Sequence, residues 1–380
     1  MLVDAADHSS LQDALDLVNA NPSGGMVRLP PGRYEIEEPL RITGEDITLR
    51  GSGAASVIVN RNTEGKPAIL VASGIPNPKR SGQQAFRWRI ALQEFRIVGN
   101  EKSGHGIEAH NINEIHIRAL TITENGGDGI HHEYCLEDAR VSDCILTYNK
   151  GSGFYILGNH DIVVSANQFE ENVDGLRCLE AFNLTMNGNI LDDHLGNAIV
   201  LEKMMGSVLS GNMIEQSEGW GLVVDRDSYG LTFSGNIFTN NKAGGIDLRS
   251  AYGCTLSANT FARSYRNAVF AGKHTEGNTI AANTFTSGRA GNGQVFGNKG
   301  EPEHVSGIVL DPAAGALNVT GNTFRGVRPA AVTIESGGNA APATPDLLFT
   351  GNLLVDTPPG TDAFENATVA NNRQVAGRKD

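Results

Sequence analysis

An asparagine preceded by glycine or alanine recurs along most of this 380-residue chain. Asn167, Asn189, Asn212, Asn236, Asn259 and Asn283 stand 22 to 24 residues apart, and Asn322 and Asn352 continue the series at spacings of 39 and 30. A period in the low twenties means that each repeat is one coil, which must stack on its neighbours to bury its apolar face. This constrains the fold more than any other feature of the chain.

The text inside each period identifies the coil. Repeats open on a small residue and a short alternating run: Gly106-Ile107, Gly129-Ile130, Gly153-Phe154, Gly175-Leu176, Ala198-Ile199, Gly221-Leu222, Gly245-Ile246, Ala268-Val269, Gly307-Ile308 and Ala331-Val332. A second run follows, such as Leu231-Thr232-Phe233, and then the asparagine turn. Short period-2 runs bounded by Gly and Asn are strands. A helical solenoid needs two amphipathic helices per repeat, and there is no room for them. The expected fold is therefore all-β: a single-stranded parallel β-helix of about 10–13 coils over residues 26–356. The turn asparagines are expected to adopt left-handed conformations and to stack as an internal ladder.

Residues 7–20 read as a short capping helix, with Ser9 or Ser10 as N-cap and Leu11, Ala14, Leu15 and Val18 as its apolar face. Laid over the first coil, it would close an open core. One domain is expected over 1–380, with a loop at 73–86, an inserted loop at 288–304, a plain excursion at Gly337–Pro345 and a C-terminal tail over 357–380 that frays after Asn371.

Composition narrows the partners. The net charge of −13 argues against nucleic acid and against an unaided polyanion. Cys135, Cys144, Cys178 and Cys254 have no metal spacing and read as core residues, with no disulfide framework and no zinc site. Low aromatic content fits a narrow interior that takes Ile, Leu and Val better than rings. No stretch of 18 apolar residues offers a membrane span. Met1-Leu2-Val3-Asp4 begins no signal peptide, which leaves both a cytoplasmic location and export with a signal removed.

Stacking also sorts side chains by direction. The first inward column runs from Ile107 to Val332 and is wholly apolar. The second is apolar except at His132, read as a satisfied core histidine. The outward columns carry Glu108, His131, Tyr155, Arg177 and Asp247, and beside them His110, Glu133, Glu202, Asp225 and Arg249. Lys203, Arg226 and Asp227 lie just beyond.

Glu202 and Asp225 share a column on adjacent coils, about 4.8 Å apart, with Asp247 diagonal to Asp225. Carboxylates that close suit a nucleophile and an acid/base partner at a glycosidic bond, and crowding raises one pKa. Glu202, Asp225, Asp227 and Asp247 are thus the catalytic candidates. Arg177, Arg249, His131, Tyr155, Trp220 and Lys203 are the substrate-binding candidates, with Trp220 offered as a stacking platform for a sugar ring. No metal or cofactor is expected for that chemistry. The alternatives are a polysaccharide lyase with Ca²⁺ held by Asp225, Asp227 and Asp247 and a proton taken by Arg249, Lys203 or Arg177, or a glycan-binding solenoid without catalysis. The bland counterpart is a solvated charged face.

The Pro30-Pro31-Gly32-Arg33-Tyr34-Glu35-Ile36 opening and the repeated Gly-Asn turns resemble the right-handed parallel β-helices of the pectate-lyase-like superfamily over nearly the whole chain. Within that group the chain is similar to the inulin fructotransferases. The likeness lies in that opening, Gly106-Ile107-Glu108, the coils around Glu202 and the late segment His304-Val305-Ser306-Gly307-Ile308-Val309. The resemblance implies a homotrimer, no metal, and a carboxylate pair that cleaves a fructan end by intramolecular attack of a sugar hydroxyl. Glu202 matches one member of the pair. The position of its Asp partner falls near Leu195–Gly196, with Asp192 and Asp193 close by, which departs from the pattern. The Asp-Pro-His tripeptide of the superfamily's uronate epimerases does not occur.

Overall fold

The structure, a computed structural model, describes residues 1–73, 86–263, 266–288, 307–335 and 344–377. The chain is a right-handed parallel β-helix of about 14 turns, with one short α-helix among the described residues. Contacts group the chain into two units, Met1–Leu191 and Asp192–Asp380. The loop expected at 73–86, the insertion with His304 and most of the Gly337–Pro345 excursion lie outside the described residues.

In the first unit the helix α1 spans Leu11–Asn19. Ser10 caps it by accepting the Asp13 N–H at 3.1 Å, and Leu11, Ala14, Leu15 and Val18 are buried against the strands Gly25–Arg28 and Leu40–Ile42. Three parallel sheets follow. One, the opening face, holds Ile69–Ala72, Ile107–His110, Ile130–Glu133, Phe154–Leu157 and Leu176–Leu179. Its register pairs Ile107 with Ile130, Ile130 with Phe154, and Phe154 with Leu176, which is the inward column the repeat predicts.

The second unit repeats the plan. Its opening face holds Ile199–Glu202, Trp220–Asp225, Gly244–Tyr252, Asn267–Glu276, Ile308–Leu310 and Val332–Ile334. Ile199, Leu222, Ile246, Val269, Ile308 and Val332 are register partners in turn, and all are fully buried. Each such side chain contributes about 1.5–3 kcal/mol of apolar burial, available only when the next coil is in place. Pairing runs past residue 356: Ala367–Ala370 adds to Leu347–Thr350, and Arg373–Val375 adds to Leu353–Val355. The segment read as a C-terminal tail thus carries two strands, the second of them past Asn371.

The asparagine ladder is present, with one correction. In the second unit Asn212 Nδ2 donates to Asn236 Oδ1 at 2.9 Å, and the chain of bonds passes through Asn259, Asn283 and Asn322 to Asn352 and Asn372 at 3.0–3.1 Å. In the first unit Asn167 donates to Asn189 at 3.0 Å, and a further ladder joins Asn125, Asn149 and Asn172 at 2.9 Å. The left-handed residue is not the asparagine but the one before it: Ala166, Gly188, Gly211, Gly235, Ala258 and Ala282 have φ of 54–67°. That turn aims the asparagine inward, where its amide replaces backbone pairing lost at the corner.

The interior also takes rings. Phe238, Phe261, Phe285 and Phe324 are buried and stack at 4.6–5.1 Å with planes within 9° of parallel. Successive coils place identical side chains one strand spacing apart, which suits offset stacking of flat rings. The four cysteines are free and buried. Burial pushes the thiols of Cys135 and Cys144 up to about 12, and that of Cys178 higher still.

Candidate functional site

In the second unit the strands Ile199–Glu202 and Trp220–Asp225 pair Glu202 with Asp225. The next pairing sets Val223 opposite Asp247, so Asp247 is diagonal to Asp225, two residues off register on the adjacent coil. These side chains alternate with the apolar column and leave the coil on its outer side. Yet Asp247 is only 4% exposed and Glu202 6%, beside Val200 and Val223, which are also buried. A fully solvated charged face is therefore not what the structure contains.

The carboxylates differ in their partners. Glu202 forms an ion pair with Arg226, Oε1 to Nε 3.2 Å. Asp225 accepts the Arg226 backbone N–H at 2.7 Å. Asp227 accepts the Ser250 hydroxyl at 2.9 Å; it and Arg226 have φ of 58° and 54°, a paired left-handed corner right after the strand. Asp247 Oδ2 accepts from Arg249 Nε at 2.6 Å, while its Oδ1 is buried with no hydrogen-bond partner among the described residues. Burial raises the Asp247 pKa above the usual carboxylate range. Arg249 opposes that, and the charges of Asp225 and Glu335 add to it. A carboxyl with a buried, unpartnered oxygen and a raised pKa is suited to hold a proton.

Trp220 is half-buried, with its ring against Gly244 on the next coil; a Cβ at Gly244 would strike it, and Gly244 has a φ of 150°. Lys203 is an exposed turn residue whose backbone N–H donates to Asp225 O at 3.1 Å. Asp193, the neighbour considered for Glu202, accepts from Gln216 Nε2 at 3.3 Å after the strand Ile190–Asp192 of another sheet.

His131, Tyr155 and Arg177 belong to the first unit. Arg177 is held by Asp174 at 3.4 Å. His131 stacks on Tyr155, with centroids 4.6 Å apart and planes at 4°. It lies in a group absent from the sequence reading: Asp128 Oδ2 is 2.8 Å from His131 Nδ1 and 3.2 Å from His105 Nδ1. Both missed residues sit in turns outside the strand columns, but they are 23 residues apart, one repeat, a spacing that marks them as stacked.

His132 is buried as expected, but it is not satisfied. Among the described residues neither ring nitrogen has a partner, its edge meets Phe154 at 4.9 Å between ring centroids, and burial pushes its pKa down to about 3. It packs as a neutral ring in an apolar column.

The family model described as rhamnogalacturonase A/epimerase, pectate lyase-like, matches residues 4–199, more than half of the chain. The chain belongs to this family. This pectate-lyase-like chain is also similar, over 137–292 and 217–339, to the family described as periplasmic copper-binding protein (NosD). No protein with a curated description matches. Solved structures that share the fold include the following three. The mannuronan C-5 epimerase AlgE4 A-module of Azotobacter vinelandii is 15% identical, with a TM-score of 0.59 over 100% of this chain and 98% of its own. PfbA, a surface adhesin of Streptococcus pneumoniae, is 12% identical, with a TM-score of 0.65 over 90% and 94%. The GH87 α-1,3-glucanase catalytic unit of Streptomyces thermodiastaticus is 17% identical, with a TM-score of 0.56 over 99% and 70%.

Within the stretch similar to the copper-binding family, the described residues offer one cluster of metal-ligating side chains, Glu137, His160 and Asp161. It holds a single imidazole, and the thiols of Cys144, Cys178 and Cys254 are buried with raised pKa values. Copper sites draw on several imidazoles or soft sulfur ligands, so these residues do not fit that metal.

Proposed function

We propose that the chain acts on a polysaccharide and cleaves a glycosidic bond, with Asp247 as proton donor and Asp225 as its partner carboxylate. The observation that carries this reading is the state of Asp247. It is buried on the outer side of the coil, has one oxygen without a partner, and holds its proton above the ordinary carboxylate range. Such a group can protonate a leaving sugar oxygen while a second, ionised carboxylate serves as base or nucleophile. Asp225 fits the second role, with a backbone N–H on its Oδ1 and more exposure than Asp247. Diagonal neighbours on adjacent strands stand roughly 7–8 Å apart, which leaves room for a water and favours the inverting arrangement.

Glu202 is the in-register neighbour of Asp225 and holds Arg226 beside it. Arg249, bound to Asp247 and half-exposed, supplies donors for sugar hydroxyls and limits how far the Asp247 pKa rises. The family description and the epimerase and glucanase folds support a glycan as substrate.

The test is a chromatographic screen against neutral glucans, fructans and uronic-acid polymers, with and without chelator. A neutral oligosaccharide product that survives chelation supports the reading. An unsaturated product lost on chelation replaces it with Ca²⁺-dependent elimination. Binding without product replaces it with a glycan-binding role.

A further inference from the structure

On the opening face of the first unit, acid and imidazole alternate in two directions. Along one strand run Glu108 and His110, along the next His131 and Glu133, and the register sets Glu108 opposite His131 and His110 opposite Glu133. Glu133 Oε1 lies 3.3 Å from His131 Nε2, and its other oxygen lies 3.2 Å from His110 Nδ1. The turns above add Asp128, which is buried, and His105.

The proton count at this corner is informative. Asp128 N–H donates to His105 Nδ1 at 2.9 Å, so that nitrogen carries a lone pair. The same nitrogen lies 3.2 Å from Asp128 Oδ2, where it has no proton to give. His131 presents Nδ1 to the same oxygen at 2.8 Å and Nε2 to Glu133. Two imidazole nitrogens and one carboxylate oxygen thus meet at one corner of the coil, with Glu133 on the far nitrogen of His131. Asp128 cannot turn away, because its Oδ1 accepts the Ser152 N–H at 2.6 Å, and Tyr155 fixes the His131 ring by stacking. A carboxylate on the far nitrogen of an imidazole is the usual outer partner of a metal-bound histidine.

We propose that His105, Asp128 and His131 bind a divalent transition cation of the zinc class through Nδ1, Oδ2 and Nδ1. The three atoms lie within 4.8 Å of one another. A cation about 2.0–2.1 Å from each would see the two nitrogens at roughly 85° and 100° from Oδ2, angles open to four- or five-coordination. Binding displaces the Asp128 N–H bond from His105 and leaves at least one coordination position to solvent or substrate. The donor set, two imidazoles and one carboxylate, favours Zn²⁺ over the oxygen-seeking Ca²⁺ or Mg²⁺. The site lies outside residues 137–339 and owes nothing to the copper-binding likeness.

The experiment is titration of the full chain, stripped with chelator, with Zn²⁺ alone, followed by calorimetry and by thermal melting. One equivalent bound, with a rise in Tm, is expected. His131→Gln and His105→Gln should each weaken binding by roughly tenfold or more. His160→Gln, in the Glu137 cluster, should leave it unchanged. Circular dichroism identifies any variant that fails to fold, and either of the two ligand variants alone suffices. No stoichiometric Zn²⁺ binding, undiminished affinity in a folded His131→Gln or His105→Gln chain, or loss of binding in folded His160→Gln would overturn the assignment.

Discussion

Asp225 and Asp247 stand on adjacent coils, two residues off register, and the charge of the first adds to burial in raising the pKa of the second. That coupling disfavours ionisation of Asp247, the direction an acid in glycosidic cleavage needs.

The first prediction concerns pH. If Asp247 is the acid, activity falls as pH rises through its raised pKa. Arg249 lowers that pKa, so Arg249→Gln should move the alkaline limb of the pH–rate profile to higher pH. An unmoved limb contradicts the role given to Asp247.

Stability should respond to the same group. A carboxyl whose folded pKa is raised contributes fully below its unfolded value of 3.8 and loses that contribution as pH rises through the folded value. Asp247→Asn, which cannot ionise, should therefore raise Tm relative to the parent at pH 8 more than at pH 4.

His132 shifts the other way. Its folded pKa of about 3 lies below the unfolded value of 6.5, so its contribution is present above pH 6.5 and is lost as pH falls toward 3. His132→Leu removes two unpartnered buried nitrogens from an apolar column and should stabilise the fold by about 1–2 kcal/mol at pH 7, more at pH 5. Urea denaturation at the two pH values measures this.

The ladder separates two contributions. Asn259→Ala removes the acceptor of the Asn236 backbone and side-chain N–H groups, one of the two donors to Asn283 Oδ1 and the side-chain donor to Phe233 O, and should cost about 2–4 kcal/mol in urea melts. Ala258→Gly, one residue earlier at a φ of 54°, relieves left-handed strain and should gain up to about 1 kcal/mol.

The register was legible because an inward position tolerates little besides apolar residues, so the Ile107-to-Val332 column declares itself. The asparagine ladder was legible for the same reason, since a polar residue fixed in every coil needs a reciprocal partner. Which residue bends the turn was not: Ala166 and Ala258 take the left-handed conformation with no glycine to signal it. The phenylalanine stack was hidden because one ring per coil barely raises aromatic content. At the candidate site the sequence placed Glu202, Asp225 and Asp247 by periodicity, but burial on the outer side depends on neighbours that period-2 reading cannot see. Asp128 and His105 escaped because turn residues belong to no strand column.

The most direct measurement is product release from the cleaved glycan by the parent chain, Asp247→Asn and Asp225→Asn, each checked for native circular dichroism. The account predicts that both variants lose at least roughly 100-fold in kcat with little change in KM. Parental turnover in either folded variant would contradict it.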